Sequence, residues 1–463
     1  MNGDAASAPR VAVVGAGLAG LRAAWRLARA GLEVVVYEAR ETVGGRAAGE
    51  WRAGHWMDSA WPVLDSGHGL LLRWIAEAGL ADEMLPLRPV QMHAWHGERA
   101  HAIEPTSLRG AAWIPGWPIL QTLKLLRWPR LMARHAPLLD ARAPERAAPL
   151  DFRSVRDHVE LYFGRAALDR WITPELQTAF GDSVEDLSRV ALLQFAKTRG
   201  LGAARVGLAG LPRRPLFELA SAVADRLPVH RGARVQRIDE EASGGFRVEA
   251  IDARGLRSAA DYDAVVVATS AREAMRIGAS LLTTAERDGL SAVRERPVVC
   301  LALAVEGDEG GVPREIRFVR GDASIVSTYV VEPGQMLGRA PEGSSQIVAL
   351  LRDAASVRAR QEPDDVVVAK VLRALGRARP DLGERVQAAR LARTVAPFFE
   401  VGSYRRLARF FAVQRDRRAL GRRLYWAGDH LAGAGFEAPV LSGDRAAGDL
   451  LADLAVPTAA RVT

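Results

Sequence analysis

The segment that most constrains the fold of this 463-residue chain lies near its N-terminus. Residues 11–16 form an apolar run, residues 18–30 carry apolar side chains at helical spacing, and residues 33–38 are apolar again. This order predicts a buried strand, a helix and a second buried strand. Such a βαβ unit predicts a parallel sheet covered by helices.

Three glycines, Gly15, Gly17 and Gly20, occupy a GxGxxG spacing between the first strand and the helix. In such a motif the first glycine permits a tight turn, the second lets the backbone approach a pyrophosphate, and the third lets helix and strand pack closely. Glu38 ends the second strand, where a carboxylate can accept hydrogen bonds from ribose hydroxyls. The segment therefore predicts a dinucleotide site, the alternative being a glycine-rich turn without a ligand.

Two further motifs indicate which dinucleotide the chain binds. Gly44-Gly45-Arg46 follows shortly after Glu38, and Ala427-Gly428-Asp429 lies near the other end of the chain. With the closing segment 436–447, they resemble the flavin-containing amine oxidase superfamily, in the style of its protoporphyrinogen oxidase and phytoene desaturase-like branch. The resemblance spans residues 11–447 and implies FAD as the cofactor.

The resemblance also implies which residues surround FAD and the substrate. The FAD contacts are Gly15, Gly17, Leu18, Ala19, Gly20, Glu38, Ala39, Gly44, Gly45, Arg46, Ala60, Trp61, Val235, Ala268, Gly428, Asp429, Pro439 and Val440. The substrate pocket is predicted to include Phe398, Phe399, Tyr404 and Phe436, the first three of which can equally be core residues. The catalytic residue is unknown, and the candidates are His430, since it follows Asp429, and Trp61.

The sequence departs from true amine oxidases at several positions. These enzymes commonly carry a lysine that holds a water near the flavin, on a strand that matches residues 297–305, and we match Val299 to it. Phe436 stands near the place of an aromatic-cage tyrosine. Ala60 lies two residues after the acid Asp58, where the family usually has a glycine, and Trp61 beside the isoalloxazine would alter the pocket. We therefore predict an FAD-dependent oxidoreductase, an oxidase or desaturase, that removes hydride from a C–H bond of a bulky lipophilic, isoprenoid- or porphyrinogen-like substrate.

Other functions on the same fold stay open at this stage. They are a flavin amine oxidase, a non-redox prenyl-lipid-binding protein, and a flavin-dependent isomerase or dehydroxylase. The electron acceptor is expected to be O2 or a quinone. We expect no nucleic-acid partner and no metal site, and the only cysteine, Cys300, lies in an apolar run typical of a buried thiol.

Residues 113–135 predict contact with a membrane surface. Apolar side chains share one face of this segment, four basic side chains follow at three- and four-residue steps, and Trp113, Trp117 and Trp128 flank them. An interfacial helix needs such a pattern, although a helix that packs between domains would also show it. With a formal net charge of +8 and no long apolar span, the protein is expected in the cytoplasm, with association to a membrane.

The chain is longer than one hydrophobic core usually serves, so we predict two domains. The expected fold is α/β, with a Rossmann-like, glutathione-reductase-type FAD-binding domain interleaved with a substrate domain of mixed sheet and helices. The FAD-binding domain is predicted to comprise residues 1–85, 229–285 and 411–463. The substrate domain is predicted to comprise residues 86–228, which include the membrane-contact segment, and 286–410.

Overall fold

The computed structural model describes residues 8–202, 209–242, 244–307, 311–319, 322, 324–334 and 339–454. The chain forms two compact units from alternating segments. The first unit contains the described residues of Met1–Gly45, Phe217–Val293 and Arg405–Thr463, and the second contains those of Arg46–Leu216 and Arg294–Tyr404.

The strands, in chain order, are β1 (Arg10–Val14), β2 (Glu33–Tyr37), β3 (Gly49–Arg52), β4 (His55–Asp58), β5 (Leu64–Asp65), β6 (Arg88–Pro89), β7 (Gln91–His96), β8 (Arg99–Ala102), β9 (Ala209–Leu211), β10 (Val229–His230), β11 (Arg234–Glu240), β12 (Phe246–Ile251), β13 (Arg257–Tyr262), β14 (Ala264–Val267), β15 (Arg294–Glu306), β16 (Arg314–Phe318), β17 (Val326–Pro333), β18 (Ser344–Leu351), β19 (Val386–Phe398) and β20 (Leu424–Trp426).

The α-helices are α1 (Leu18–Arg29), α2 (Gly69–Glu77), α3 (Ala81–Met84), α4 (Leu108–Ala112), α5 (Ile119–Leu125), α6 (Arg127–His135), α7 (Val155–Tyr162), α8 (Arg165–Ala167), α9 (Thr173–Phe180), α10 (Arg189–Arg199), α11 (Phe217–Ala224), α12 (Ala271–Ile277), α13 (Thr284–Ser291), α14 (Asp353–Ala359), α15 (Asp364–Gly376), α16 (Leu382–Arg385), α17 (Ser403–Ala419) and α18 (Glu437–Asp453). None of the described helices is long and apolar enough to cross a membrane.

The first unit is built on a parallel sheet with the strand order β10-β2-β1-β14-β20. Val13 on the central strand β1 pairs with Val36 on one side and Val266 on the other. The inner strands read as continuous apolar runs because helices cover both faces of such a sheet. An antiparallel sheet, β11-β12-β13, completes the unit. The predicted α/β fold with a Rossmann-like unit is confirmed.

The second unit is built on a mixed sheet with the order β19-β15-β18-β17-β16-β7-β8. Side chains alternate between its two faces. Val299, Leu301 and Leu303 of β15 pack with Val371 of α15, whereas four even-numbered residues in the middle of this strand belong to the cluster that contains Trp61. Val299, which we matched to the family lysine, faces α15 and not Trp61, and the match itself stays a prediction. The residues of β15 on the Trp61 side are Val298, Cys300, Ala302 and Ala304.

The segment boundaries differ from those expected. Residues 46–85, predicted in the FAD-binding domain, belong to the second unit. The reason is local packing, since β3 and β4 form a hairpin and Met57 of β4 packs against Cys300 of β15. Three stretches predicted in the substrate domain belong instead to the first unit, namely residues 217–228, 286–293 and 405–410. In the first of them, α11 contacts α1.

Residues 113–135 do not form one amphipathic helix. They contain α5 and α6, and the two helices expose different residues. Ile119, Leu123 and Leu126 are exposed, whereas Leu131 is buried. Trp128 is also buried, and its Nε1 donates to the carbonyl of Leu201 at 2.8 Å. Trp128 therefore anchors α6 to the interior of the unit, which corrects its expected place among the surface tryptophans.

Candidate functional site

The glycine turn after β1 has the geometry that a phosphate-binding loop requires. Gly15 has a φ of +105°, and a Cβ there would lie 2.8 Å from the carbonyl oxygen of Ala268. A Cβ on Gly20 would lie 1.8 Å from the carbonyl oxygen of Gly15, so the first turn of α1 packs directly on the loop. A Cβ on Gly17 would meet no heavy atom within 4 Å. Gly17 therefore presents an open backbone surface at the start of α1.

Glu38 lies beside this turn. Its Oε2 accepts a hydrogen bond from the backbone N–H of Ala16 at 2.8 Å, and its Oε1 accepts one from Arg40 N at 3.0 Å. The first turn of α1, which begins with Leu18 and Ala19, contains no acidic residue. The positive end of the helix dipole is therefore not offset by an acid of its own first turn. Ala39, the next predicted contact, is exposed.

The second glycine pair packs against the first loop. The N–H of Gly44 donates to the carbonyl of Ala16 at 2.8 Å, and a Cβ on Gly45 would lie 3.3 Å from Cα of Gly17. Both glycines have positive φ angles, +92° and +59°. Two separate stretches of backbone thus meet at Gly17, as the sequence predicts for a double approach to a diphosphate.

The late strand β20 leads into Gly428, Asp429 and His430. Gly428 has a φ of +149°, and its N–H donates to Oγ of Ser442 at 3.0 Å. The N–H of His430 donates to Oδ1 of Asp429 at 3.0 Å. A Cβ on Gly428 would lie 2.5 Å from Cε1 of His430, so the buried imidazole packs against this glycine. His430 therefore contributes to the packing of this turn, and its catalytic role stays a prediction.

The N-terminus of α18 carries Pro439 and Val440, and its capping residue Phe436 makes no side-chain hydrogen bond to the helix. One turn later, a Cβ on Gly443 would lie 2.0 Å from the carbonyl oxygen of Ala19. The closing helix therefore packs against the first turn of α1. This close approach holds the beginning of α18 near the glycine turn.

Val235 and Ala268 complete the predicted set in the first unit. The N–H of Ala268 donates to the carbonyl of Val14 at 2.8 Å, which places the end of β14 beside the glycine turn. Val235 is buried on β11, and its carbonyl accepts a hydrogen bond from Nη2 of Arg276 at 2.8 Å. The side chain of Arg276, which no motif identifies, thus holds the backbone of Val235.

The remaining predicted residues lie in the second unit. Arg46 lies in a short 3-10 helix, and Trp61, which follows Ala60, packs among Met57, Cys300 and Val330. Phe399 and Tyr404 stack with their ring centroids 5.5 Å apart, and both are buried.

Phe398 ends β19, and the guanidinium of Arg294 lies 4.9 Å from the centroid of its ring. The N–H of Tyr404 donates to Oδ2 of Asp151 at 2.8 Å, and burial raises the pKa of the Tyr404 phenol above its ordinary value. Phe399 and Tyr404 therefore serve the core of this unit, and a pocket role for them stays a prediction.

Sequence reasoning missed two stabilising contacts. The carboxylate of Asp444 on α18 bonds Arg22 on α1 at 2.8 Å and Arg26 at 2.8 Å. Arg22 and Asp444 are 422 residues apart, so no local pattern could have paired them. Ser442 lies within the closing segment 436–447, but its hydrogen bond to Gly428 forms only because the fold brings the end of β20 beside α18.

The glycine turn, the acid beside it, the second glycine pair and the open N-terminus of α1 fit a bound dinucleotide. The backbone at Gly17 is clear of any side chain, and the neighbouring glycines occupy places that a Cβ would fill. Fold and site together define a nucleotide-dependent protein of the Rossmann class, with residues that suit the diphosphate and ribose of FAD.

Comparison with known families identifies the chain more closely. Residues 18–451 match the model of the flavin containing amine oxidoreductase family, so the chain belongs to that family. FAD is thus the cofactor, and the class is an FAD-dependent oxidoreductase, as predicted. A non-redox lipid-binding protein is no longer retained as an alternative.

Individual relatives are more distant. A 38-residue segment is 66% identical to hydroxyneurosporene desaturase from Cereibacter sphaeroides, and it covers 8% of each chain. The chain therefore matches less than a tenth of this curated relative.

Two solved structures share the fold over nearly their whole length. A candidate protoporphyrinogen oxidase from Exiguobacterium sp. 255-15 has 17% identity and a TM-score of 0.72 over 97% of this chain and 99% of that one. Putrescine oxidase bound to putrescine has 18% identity and a TM-score of 0.71 over 96% and 99%.

Proposed function

We propose that this protein removes hydride from a C–H bond of a bulky lipophilic substrate. The observation that carries this proposal is the side of β15 that packs with Trp61. Its residues are Val298, Cys300, Ala302 and Ala304, which are apolar and include no lysine, and all of them except the partly buried Val298 lie in the core. Met57, Val330 and Val348 extend the apolar face on neighbouring strands. A hydrocarbon or a polycyclic ring suits such a surface better than a charged amine does.

The chemistry follows from the cofactor and from this apolar surface. FAD, when bound, accepts the hydride and its two electrons. The neighbouring carbon of the substrate releases a proton, so that a carbon–carbon double bond forms. The protein's contribution is to orient the substrate and to exclude water. The electron acceptor in this proposal is O2 or a quinone.

Two alternatives make different use of the same cofactor. A flavin amine oxidase is favoured by the family and by the fold shared with putrescine oxidase. A flavin-dependent isomerase or dehydroxylase would need no external acceptor. The apolar face of β15 supports the desaturase or oxidase over the amine oxidase, because no residue of the strand provides the lysine.

Anaerobic mixing separates these possibilities. The flavoprotein would be mixed with phytoene, with protoporphyrinogen and with benzylamine, and the visible flavin absorbance recorded. Lasting loss of absorbance with one of the first two compounds, and none with benzylamine, is expected. Bleaching by benzylamine alone would refute the proposal in favour of an amine oxidase. Turnover without bleaching would assign an isomerase or dehydroxylase.

We also propose that the second unit contacts an anionic membrane surface through α5 and α6. Ile119 and Leu123 form an exposed apolar stripe that Leu126 extends, and Ile119 is 85% exposed. Trp113 is 80% exposed at the end of α4. Exposed apolar patches of this kind commonly mark interaction sites.

The positive charge around this apolar stripe indicates an anionic partner. The sequence from residue 105 to residue 139 contains five basic residues, Arg109, Lys124, Arg127, Arg130 and Arg134, and no acidic residue. The last four of these are exposed. Anionic headgroups attract such a surface while the apolar stripe inserts. A cytoplasmic protein with this surface would reach lipophilic substrates where they are dissolved.

Vesicle sedimentation tests this contact. Arg127→Glu combined with Arg130→Glu should lower binding to vesicles that contain phosphatidylglycerol, because the exposed cations become anions. Arg358→Glu combined with Arg373→Glu, on exposed positions of α14 and α15, is the matched control. Equal losses in the two double variants would refute a specific surface.

A further inference from the structure

An arginine lies on the Trp61 side of the mixed sheet, on its edge strand β19. Arg390 pairs directly with Ala302 of β15, and directly paired residues of neighbouring strands share one face of a sheet. Ala388 and Ala392, two residues before and after Arg390, pack with the cluster that contains Trp61. Arg390 therefore brings a positive charge to the edge of the apolar surface that we assign to the substrate.

Two hydrogen bonds hold the guanidinium of Arg390 between β3 and the turn after β4. Its Nε donates to Oε2 of Glu50 at 3.0 Å, and its Nη1 donates to Oγ of Ser59 at 3.1 Å. The third nitrogen, Nη2, makes no hydrogen bond within the described part of the chain, and it is not among the buried nitrogens that lack a partner there. Because the Arg390 side chain is 20% exposed on an edge strand, a ligand can reach Nη2.

The acids near Arg390 leave part of its positive charge in place. Glu50 is shared by two arginines, since its Oε1 accepts from Nη2 of Arg52 at 2.8 Å while its Oε2 accepts from Arg390. The hydrogen bonds from Arg390 and from Arg52 lower the pKa of Glu50, so one carboxylate faces two guanidinium groups. Asp58, which precedes Ser59, is engaged by the buried Arg339. An added anion therefore finds a net positive charge at Arg390.

Ser59 supplies a second donor near Nη2. Its Oγ accepts from Nη1 of Arg390, and its own hydroxyl hydrogen has no acceptor among the residues that the structure describes. A planar guanidinium and a hydroxyl group both donate to oxygen, and guanidinium groups match the geometry of a carboxylate. An ammonium group, by contrast, would be repelled by the guanidinium.

We propose that Arg390 and Ser59 bind a carboxylate group of the lipophilic substrate. This inference rests on the proposed function, since the two donors lie at the edge of the apolar surface assigned to the substrate. It narrows the substrate class from hydrocarbons and polycyclic rings in general to apolar molecules that carry an acid group. The apolar part lies against the Trp61 side of β15, and the acid group lies at the edge strand β19.

Two retinoids that differ at one end test this site in the FAD-loaded protein. Retinoate carries a carboxylate and retinol a hydroxyl group on the same isoprenoid chain, and quenching of tryptophan fluorescence measures the binding of each. The wild-type protein should bind retinoate about tenfold more tightly than retinol, as expected for a charged hydrogen bond. Arg390→Gln should reduce this preference to about twofold or less, whereas Arg390→Lys, which keeps the charge, should retain an intermediate preference.

Arg393→Gln is the matched control on the same strand. Arg393 lies three residues further along β19, on the opposite face, where it donates to the carbonyls of Ala359 and Glu362. The control removes the same charge, so a general attraction of anions to the protein would fall equally in both variants. Arg393→Gln should leave the preference for retinoate unchanged, and equal losses in Arg390→Gln and Arg393→Gln would overturn the carboxylate site.

The outcomes separate this inference from the proposed function. If the wild-type protein binds retinoate and retinol with equal affinity, the carboxylate site is refuted and the lipophilic surface stands. If neither the retinoids nor oleate and oleyl alcohol bind, the lipophilic surface is wrong, and the site at its edge is refuted with it. Circular dichroism of each variant identifies a loss caused by unfolding, in which case Ser59→Ala replaces Arg390→Gln and should reduce the preference to about threefold.

Discussion

Replacement of Asp444 by asparagine should destabilise the first unit and loosen the cofactor site together. The carboxylate of Asp444 is buried, and it accepts hydrogen bonds from Nε of Arg22 at 3.0 Å and from Nη2 of the same residue at 2.8 Å. Its other oxygen lies 2.8 Å from Nη1 of Arg26. The Asp444→Asn variant would leave the buried guanidinium of Arg22 without its counter-charge.

Breaking one partner of a buried ion pair costs about 3–5 kcal/mol, and the amide oxygen of asparagine can keep one hydrogen bond. We therefore expect the free energy of unfolding of the apoprotein to fall by about 3 kcal/mol in urea titration. FAD should also dissociate more readily, because the same helix carries Pro439 and Val440 at its N-terminus.

Asp449→Asn is the control on the same helix. The side chain of Asp449 is 36% exposed, and its partner Arg418 also pairs with Asp453. Loss of this exposed charge should lower the free energy of unfolding by less than about 1 kcal/mol. If Asp444→Asn and Asp449→Asn unfold at the same urea concentration, the assigned role of the buried ion pair is wrong.

Three further predictions concern the glycine turn, the acid beside it and a buried histidine. Gly17→Ala should keep the melting temperature of the apoprotein and weaken FAD binding in a dilution assay, whereas Gly20→Ala should lower the melting temperature because its Cβ would strike the carbonyl of Gly15. Glu38→Ala should weaken FAD binding by about 1.5–3 kcal/mol through lost charged hydrogen bonds, and unchanged retention of FAD would exclude that role. Burial and the nearby Arg189 lower the pKa of His158 to about 3, so the native state resists the protonation that the unfolded chain accepts near pH 6.5. The free energy of unfolding should therefore fall as the pH drops below 6.5. In urea titrations at pH 6.5 and pH 4.5, this fall should be about 2 kcal/mol smaller for His158→Leu than for the wild-type protein.

The cofactor site was predictable because its signals are local. The glycines between β1 and α1 are required by the backbone itself, since a Cβ at Gly15 or Gly20 would overlap a carbonyl oxygen. Periodicity in residues 11–38 specified both strands and the helix within a residue or two. Such features need no knowledge of distant parts of the chain.

The features that the sequence did not reveal depend on contacts between distant residues. The boundary after Gly45 is set by the hairpin of β3 and β4, which packs on β15 although β4 ends at Asp58 and β15 begins only at Arg294. Trp128 resembles a surface anchor in an isolated helix, and only its hydrogen bond to Leu201 shows that it faces inward. Likewise, the apolar run in β15 does not reveal which residues face α15 and which face Trp61.

The glycine turn and the Trp61 side of β15 are constrained in different ways. The glycine turn is constrained by backbone geometry, since a Cβ at Gly15 or Gly20 would overlap a carbonyl oxygen. The Trp61 side of β15 is set by the side chains of small residues such as Ala302 and Ala304, which lie on a strand bonded on both sides by β18 and β19. Exchange of these side chains alters the surface while the strand pairing stays in place. Under the proposed function, we therefore expect substitutions on this face to change substrate preference without loss of FAD binding. Val298 lies at the partly exposed beginning of that face, where a larger or charged side chain would be accommodated with the least repacking.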